Sequence, residues 1–303
     1  MTDKKSTNPK HEWDQRYTMV AKIVASWSKD PSTQCGAIIV RKNKTLASAG
    51  YNGFPRGMID LPERYQDRSY KYPHIIHSEW NAIQSSKDHD LSDCSVFAWP
   101  MPPCNECTNA IIQKNISRVV CPHPSADKLD RWRDSFDHAR EQTRKSNILF
   151  EEINFSNPDL YIYPSHDKWV SRFLSLAKEI CSWSKHPYDP RGAVIVRKDK
   201  TISSLGFSGF PSGLSDEPLM SGDRKLIDLS LIPAELNAIL FSRDTDFYDM
   251  TCYSWPSSPS LRSVAHLFHN GIRRFVFPKN NISSDYEMVK SFALEMGVSL
   301  LEI

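Results

Sequence analysis

The sequence predicts an α/β fold, a sheet with helices on both faces, and predicts it twice in tandem. Segments of helical and strand periodicity alternate along the chain. The chain also matches itself without a gap at a shift of 156 positions (Trp13 onto Trp169) over about a hundred residues. The composition is that of an ordinary packed core: 40% of the 303 residues are hydrophobic and the net charge is +2. Near-neutrality argues against a surface built to grip nucleic acid or an anionic membrane. No apolar run approaches the ~20 residues of a membrane span, and the polar start Met1 to Lys10 lacks a signal-peptide core. Seven cysteines, an odd number in a long chain, disfavour a disulfide framework and point to a reducing cytoplasm.

From Glu12 to about Ser28, Trp13, Tyr17, Val20, Ile23, Val24 and Trp27 recur at helical spacing, and Lys29-Asp30-Pro31 ends that helix. Cys35 to Val40 and Thr45 to Tyr51 are short apolar runs around a polar turn, a hairpin. Asn52 to Gly57 is a loop of residues that tolerate unusual backbone angles, and the polar segment Asp60 to Pro73 continues it. His77 opens a helix that runs through Glu79, Asn81, Ala82 and Ile83, with no breaker until Asp88; Ser95 to Trp99 is a buried strand; Pro100 to Pro103 is a stiff turn. Cys104 to Asn115 is a helix whose first turn places two cysteines on one face. Strand Arg118 to Cys121, a charged helix from Ala126 to Lys145 and a strand near Ile148 to Ile153 complete the first copy. Within that charged helix, Lys128 to Lys145 mixes Arg131, Arg133, Arg140 and Arg144 with Asp130, Asp134, Asp137 and Glu141, which reads as a solvated face.

In the second copy Ser182-Trp-Ser-Lys185 repeats Ser26-Trp-Ser-Lys29, and Gly209-Phe-Pro211 repeats Gly53-Phe-Pro55. The stretch Asn154 to Pro164, with two prolines, is the joint. The copies diverge where chemistry would sit. His77 becomes Pro233, Cys104 becomes Ser260 and Cys107 becomes Ser263, whereas Glu79 keeps a counterpart in Glu235.

Those first-copy residues form a pattern, His77-x-Glu79 followed by Pro103-Cys104-x-x-Cys107. Alone, C-x-x-C suits a redox pair or half of a structural zinc site. Joined to H-x-E it supplies one imidazole and two thiolates, donors that suit zinc, and leaves a fourth tetrahedral position for water. Glu79 is then placed to move protons to and from that water. The second copy, without the three ligands, cannot hold this metal.

Four blocks carry a resemblance: Ser28-Lys-Asp-Pro-Ser-Thr-Gln-Cys-Gly-Ala37, Gly50-Tyr-Asn-Gly-Phe-Pro-Arg-Gly57, Lys71-Tyr-Pro-His-Ile-Ile-His-Ser-Glu-Trp-Asn-Ala-Ile83, and Pro103-Cys-Asn-Glu-Cys107. In them the first copy resembles the deoxycytidylate (dCMP) deaminases of the zinc-dependent cytidine deaminase superfamily, whose signature is H-x-E and P-C-x-x-C. The resemblance implies two tandem three-layer α/β/α domains, each a mixed, roughly five-stranded sheet flanked by helices. Residues 1–155 would be catalytic, 156–164 a linker and 165–303 a degenerate copy with a structural or regulatory role. The implied reaction is hydrolytic deamination of dCMP to dUMP and ammonia, with zinc on His77, Cys104 and Cys107 and with Glu79 as proton carrier. Ser78, through its carbonyl, would accept from the exocyclic amine, Asn52 would meet a sugar hydroxyl, and Arg56 and Lys71 are the candidates for the 5′-phosphate. The alternatives are another cytosine nucleotide such as dCTP, a nucleic-acid deaminase, or a non-enzymatic nucleotide sensor. A deoxynucleoside triphosphate effector and an intrachain pseudo-dimer or homo-oligomer are further expectations of the family. Two departures stand out: serine at 78 where alanine is common, and a proline-rich Ala98 to Pro103 segment. Trp99 within it matches Trp255, which favours a core role over stacking on a ligand.

Overall fold

The computed structural model describes residues 9–211, 224, 227, 230–279 and 281–303. Of the polar start expected above, the residues before Pro9 lie outside the described residues. The chain divides into two compact units, Met1–Leu160 and Tyr161–Ile303.

The first unit runs α1 (Pro9–Ala25), β1 (Gly36–Val40), β2 (Leu46–Tyr51), α2 (Pro62–Gln66), α3 (Arg68–His74), α4 (Ser78–Ser85), β3 (Ser95–Trp99), α5 (Asn105–Gln113), β4 (Arg118–Pro122), α6 (Ala126–Lys145) and β5 (Leu149–Ile153). Its five strands lie in the order β2-β1-β3-β4-β5. The hairpin partner β2 and β3 are both antiparallel to β1, while β3, β4 and β5 are parallel. This is the mixed five-stranded sheet that the resemblance implied. Strand β1 is buried along its whole length, as its unbroken apolar run requires of a strand covered on both faces. Helix α1 packs on one face: a side chain at Gly36 would meet the α1 backbone at Ala21. Helix α4 packs on the other. A Cβ built at Gly50 would lie 2.5 Å from the Ser78 carbonyl oxygen and 2.3 Å from the Ala82 nitrogen. Glycine at 50 therefore sets how near the start of α4 comes to the sheet.

Two features depart from the sequence reading. The segment Asp60 to Pro73, expected as a loop, folds into α2 and most of α3. Pro62 starts the first with its fixed φ, and Asp67 caps the second, its carboxylate accepting from the amides of Ser69 (2.9 Å) and Tyr70 (3.3 Å). Helix α6 is kinked at Trp132, whose φ of −120° and ψ of 16° leave the helical region.

The second unit has α7 (Lys168–Cys181), β6 (Gly192–Val196), β7 (Ile202–Phe207), a helix Ala234–Phe241, β8 (Thr251–Trp255), a helix Leu261–His269, β9 (Arg274–Phe277), a helix Tyr286–Met296 and β10 (Ser299–Glu302). Its sheet order, β10-β9-β8-β6-β7, repeats the first arrangement, and even the register break between Ile39 and Val40 recurs between Ile195 and Val196. One length differs. The equivalence between copies falls from 156 at β4, where Arg118 matches Arg274, to 150 at β5, where Leu149 matches Ser299. The first unit thus has six extra residues between these strands, in the stretch that forms the front of α6.

Candidate functional site

Helices α4 and α5 begin side by side beyond the end of β3, and their first turns supply the donors. His77 is the residue that caps α4, and Cys104 caps α5 with its sulfur accepting from the Cys107 amide at 3.5 Å. Among the described residues these are the one group of three or more metal-type donors, and their donor atoms lie within 4.8 Å of one another. Nδ1 of His77 is 3.3 Å from Sγ of Cys107 and 3.4 Å from Sγ of Cys104. Neighbouring nitrogen and sulfur ligands on a tetrahedral zinc stand about 3.5 Å apart for ordinary bond lengths. One imidazole and two sulfurs at that spacing fit zinc.

Electrostatics favour a thiolate here. The hydrogen bond from Cys107 brings Cys104 down to about 4; burial opposes this, and His77 adds to it. The N-terminal ends of two helices point the same way, since their unpaired N–H groups favour negative charge. His77 is pushed up to about 9, first by its hydrogen bond with Cys104, with burial opposing and the Glu79 charge assisting. Glu79 is 7% exposed, and burial raises its carboxyl above the usual range while His77 pulls it down. Its Oε2 accepts from the Ser78 hydroxyl at 3.1 Å and lies 3.4 Å from Cys107 Sγ.

These groups stand at the floor of a cavity of about 360 Å³, a size suited to a small ligand. His77, Glu79, Cys104, Asn52 and Lys71 all line it. Arg56 does not. Ser78 is buried and also stays out of the lining; its carbonyl oxygen lies against Gly50. Lys71 is buried rather than presented to solvent, and its ammonium is bound to Asp30 at 2.7 Å. Trp99 both lines the cavity and packs edge-on against Phe155.

Sequence reasoning did not find the rim. Arg68, at the start of α3, and Arg131, just before the α6 kink, line the cavity, are exposed, and have no ion-pair partner among the described residues. Beside them Tyr72 and Trp132 meet edge to face with centroids 6.2 Å apart. Arg131 and Trp132 belong to the stretch that is longer in the first unit, so the length difference between the copies was a signal available in the sequence.

Comparison with known proteins agrees with this geometry. Residues 11–123 match the profile of the cytidine and deoxycytidylate deaminase zinc-binding region. An uncharacterized deaminase encoded in the luxG 3′ region of Aliivibrio fischeri is 37% identical over 137 residues, 45% of this chain and 90% of the relative. The deoxycytidylate deaminase of Mus musculus is 37% identical over 145 residues, 46% of this chain and 75% of the relative. The solved structure of the cyanophage S-TIM5 dCMP deaminase with dCMP and dUMP is more distant, with 21% identity, a TM-score of 0.38, and coverage of 48% of this chain and 99% of that one.

Proposed function

The chain belongs to the family of cytidine and deoxycytidylate deaminases, and on that premise we propose that its first unit hydrolyses the 4-amino group of dCMP to give dUMP and ammonia. The observation that carries this reading is a buried glutamate beside a His-Cys-Cys cluster at the floor of one cavity. His77, Cys104 and Cys107 would hold zinc, which supplies Lewis-acid activation of water near neutral pH. Glu79 does the proton work. Burial leaves it a weak enough acid to take a proton from the attacking water and pass protons to ring N3 and to the departing amine. Arg68 and Arg131 are placed for the 5′-phosphate, and Tyr72 with Trp132 for the apolar wall that keeps bulk water from the ring. Lys71, already neutralised by Asp30, suits the phosphate less well than the rim arginines do.

The second unit, with Pro233, Ser260 and Ser263 in place of the three donors, would support rather than catalyse. All seven cysteines are free, and a centre that depends on two thiolates suits a reducing compartment such as the cytoplasm. The test is a metal and substrate assay. Purified chain should carry about one zinc and release ammonia from dCMP faster than from deoxycytidine, CMP or dCTP. Turnover of dCTP alone would replace the substrate, and a chain that neither binds zinc nor releases ammonia would end the proposal.

A further inference from the structure

One wall of the cavity is built on a buried ion pair that the reaction as drawn does not use. Lys71 and Asp30 are 7% and 3% exposed, and the ammonium lies 2.8 Å from Oδ1 and 2.7 Å from Oδ2 of the carboxylate. The same carboxylate accepts from Asn52 Nδ2 at 3.2 Å and from the amides of Ser32 (2.9 Å) and Thr33 (3.3 Å). The second proton on Asn52 Nδ2 goes to the Thr33 carbonyl at 3.0 Å, and Asn52 Oδ1 accepts from the Cys35 amide at 2.7 Å. Taking two charges out of water is costly, and only their mutual attraction and further hydrogen bonds offset that cost. Such a pair needs a reason.

The second unit shows that the fold is not the reason. There Asp30, Lys71 and Asn52 are replaced together by His186, Ile227 and Ser208. The loop nevertheless keeps its backbone support. His186 Nδ1 accepts from the amides of Tyr188 and Asp189 at 3.1 and 2.9 Å, as Asp30 does from Ser32 and Thr33. Ser208 Oγ accepts from the Arg191 amide at 3.0 Å, as Asn52 does from Cys35, and Ile227 is buried where Lys71 is. Only the ion pair and the second half of the amide's bonding have gone, and they have gone from the unit that lacks the metal donors.

Resting on the cytosine-nucleotide reading above, we infer that Asp30 is a positioning residue that holds Lys71 and Asn52 together to receive the 3′-hydroxyl of the substrate sugar. The hydrogen-bond count supplies the chemistry. An ammonium has three protons, of which the carboxylate takes two, and an amide oxygen has two lone pairs, of which the Cys35 amide takes one. One donor on Lys71 and one acceptor on Asn52 are left, on two residues that converge on the same Asp30 oxygen and line the cavity. A hydroxyl both donates and accepts, so it satisfies both. The carboxylate also fixes which way the Asn52 amide faces, keeping the oxygen available to the sugar.

The experiment installs the second unit's own residues, Asp30→His with Lys71→Ile, in the full chain. It compares dCMP with 2′,3′-dideoxycytidine monophosphate, which lacks the hydroxyl. Wild type should prefer dCMP. The double variant should keep its zinc and its melting temperature, raise KM for dCMP about tenfold with kcat within about threefold, and lose the preference. Lys71→Arg, which retains a cation for Asp30, should recover part of the preference. Unchanged KM and unchanged discrimination in the double variant would overturn the inference, as would loss of zinc or of the fold, since the pair would then serve the scaffold. A wild-type chain that turns over dCMP but treats both nucleotides alike would overturn it while leaving the deaminase reading standing. A wild type that turns over no cytosine nucleotide would overturn both.

Discussion

The two units share a sheet order, a register break and the close contact of a glycine with a helix, yet among the described residues only the first carries a cluster of three metal-type donors. What the centre requires and what the fold requires can therefore be separated within one chain. The hydroxyls of Ser260 and Ser263 take up the same local bonds as the two sulfurs: the Ser263 amide donates to Ser260 Oγ at 3.2 Å, and Ser263 Oγ donates to Glu235 Oε2 at 3.1 Å. A helix start is satisfied by oxygen as well as by sulfur. Only a soft metal distinguishes them.

The largest expected difference between the units follows from the buried glutamates. Glu79→Gln should leave zinc bound, because the three donors are untouched, and should cut kcat by roughly a thousandfold through loss of the proton carrier. Glu235→Gln should leave kcat within about twofold. The equivalent carboxylate there is 1% exposed, but among the described residues no His-Cys-Cys cluster stands beside it. Ammonia release and zinc content measured on both variants decide the matter, and a large loss in Glu235→Gln would break the division between a catalytic and a supporting unit.

A smaller effect should come from the stretch that only the first unit has. Arg131→Ala should raise KM for dCMP about tenfold, with the loss shrinking at high salt, and should leave deoxycytidine turnover nearly unchanged. Equal losses for nucleotide and nucleoside would mean that the rim shapes the base pocket instead.

These residues also mark how far the sequence could be read. The zinc donors and Glu79 were legible because a metal demands particular atoms at fixed spacing on a helix start. The strands were legible because both faces of each sheet are covered, which leaves unbroken apolar runs such as Gly36 to Val40. Arg68, Arg131 and Asp30 were not. An arginine is available to a ligand only where it faces a cavity, and Arg131 lines this one beside the α6 kink at Trp132, a conformation that no periodicity announces. Helices α2 and α3 were missed because a proline start and an Asp67 cap make each of them, with no apolar stripe to betray a helix. Lys71 was read as a phosphate candidate from its charge alone, without knowledge of its burial against Asp30.

The smallest effect tests whether the second unit has gained stability where it lost chemistry. In both units an arginine of the β1–β2 or β6–β7 turn pairs with an aspartate, Arg41 with Asp88 and Arg197 with Asp244. Only in the second does a serine join, because Ser203, bonded to Asp244 at 2.5 Å, stands where the first unit has Ala47. Burial raises the Asp244 carboxyl, but the hydrogen bonds from Arg197 and Ser203 outweigh it and hold the group below its ordinary range. A carboxyl depressed in this way adds stability above its unfolded pKa of about 4, and that contribution is lost as pH falls through the lower folded value. Ser203→Ala should therefore cost on the order of 1 kcal/mol at neutral pH and progressively less below about pH 4. Hydrogen exchange of peptides from 192–207 and 234–255, measured between pH 7 and pH 3, reads that change against peptides from 36–51 and 78–99 as the internal reference. A cost that stayed constant across the range would assign Ser203 to packing rather than to the charge of Asp244.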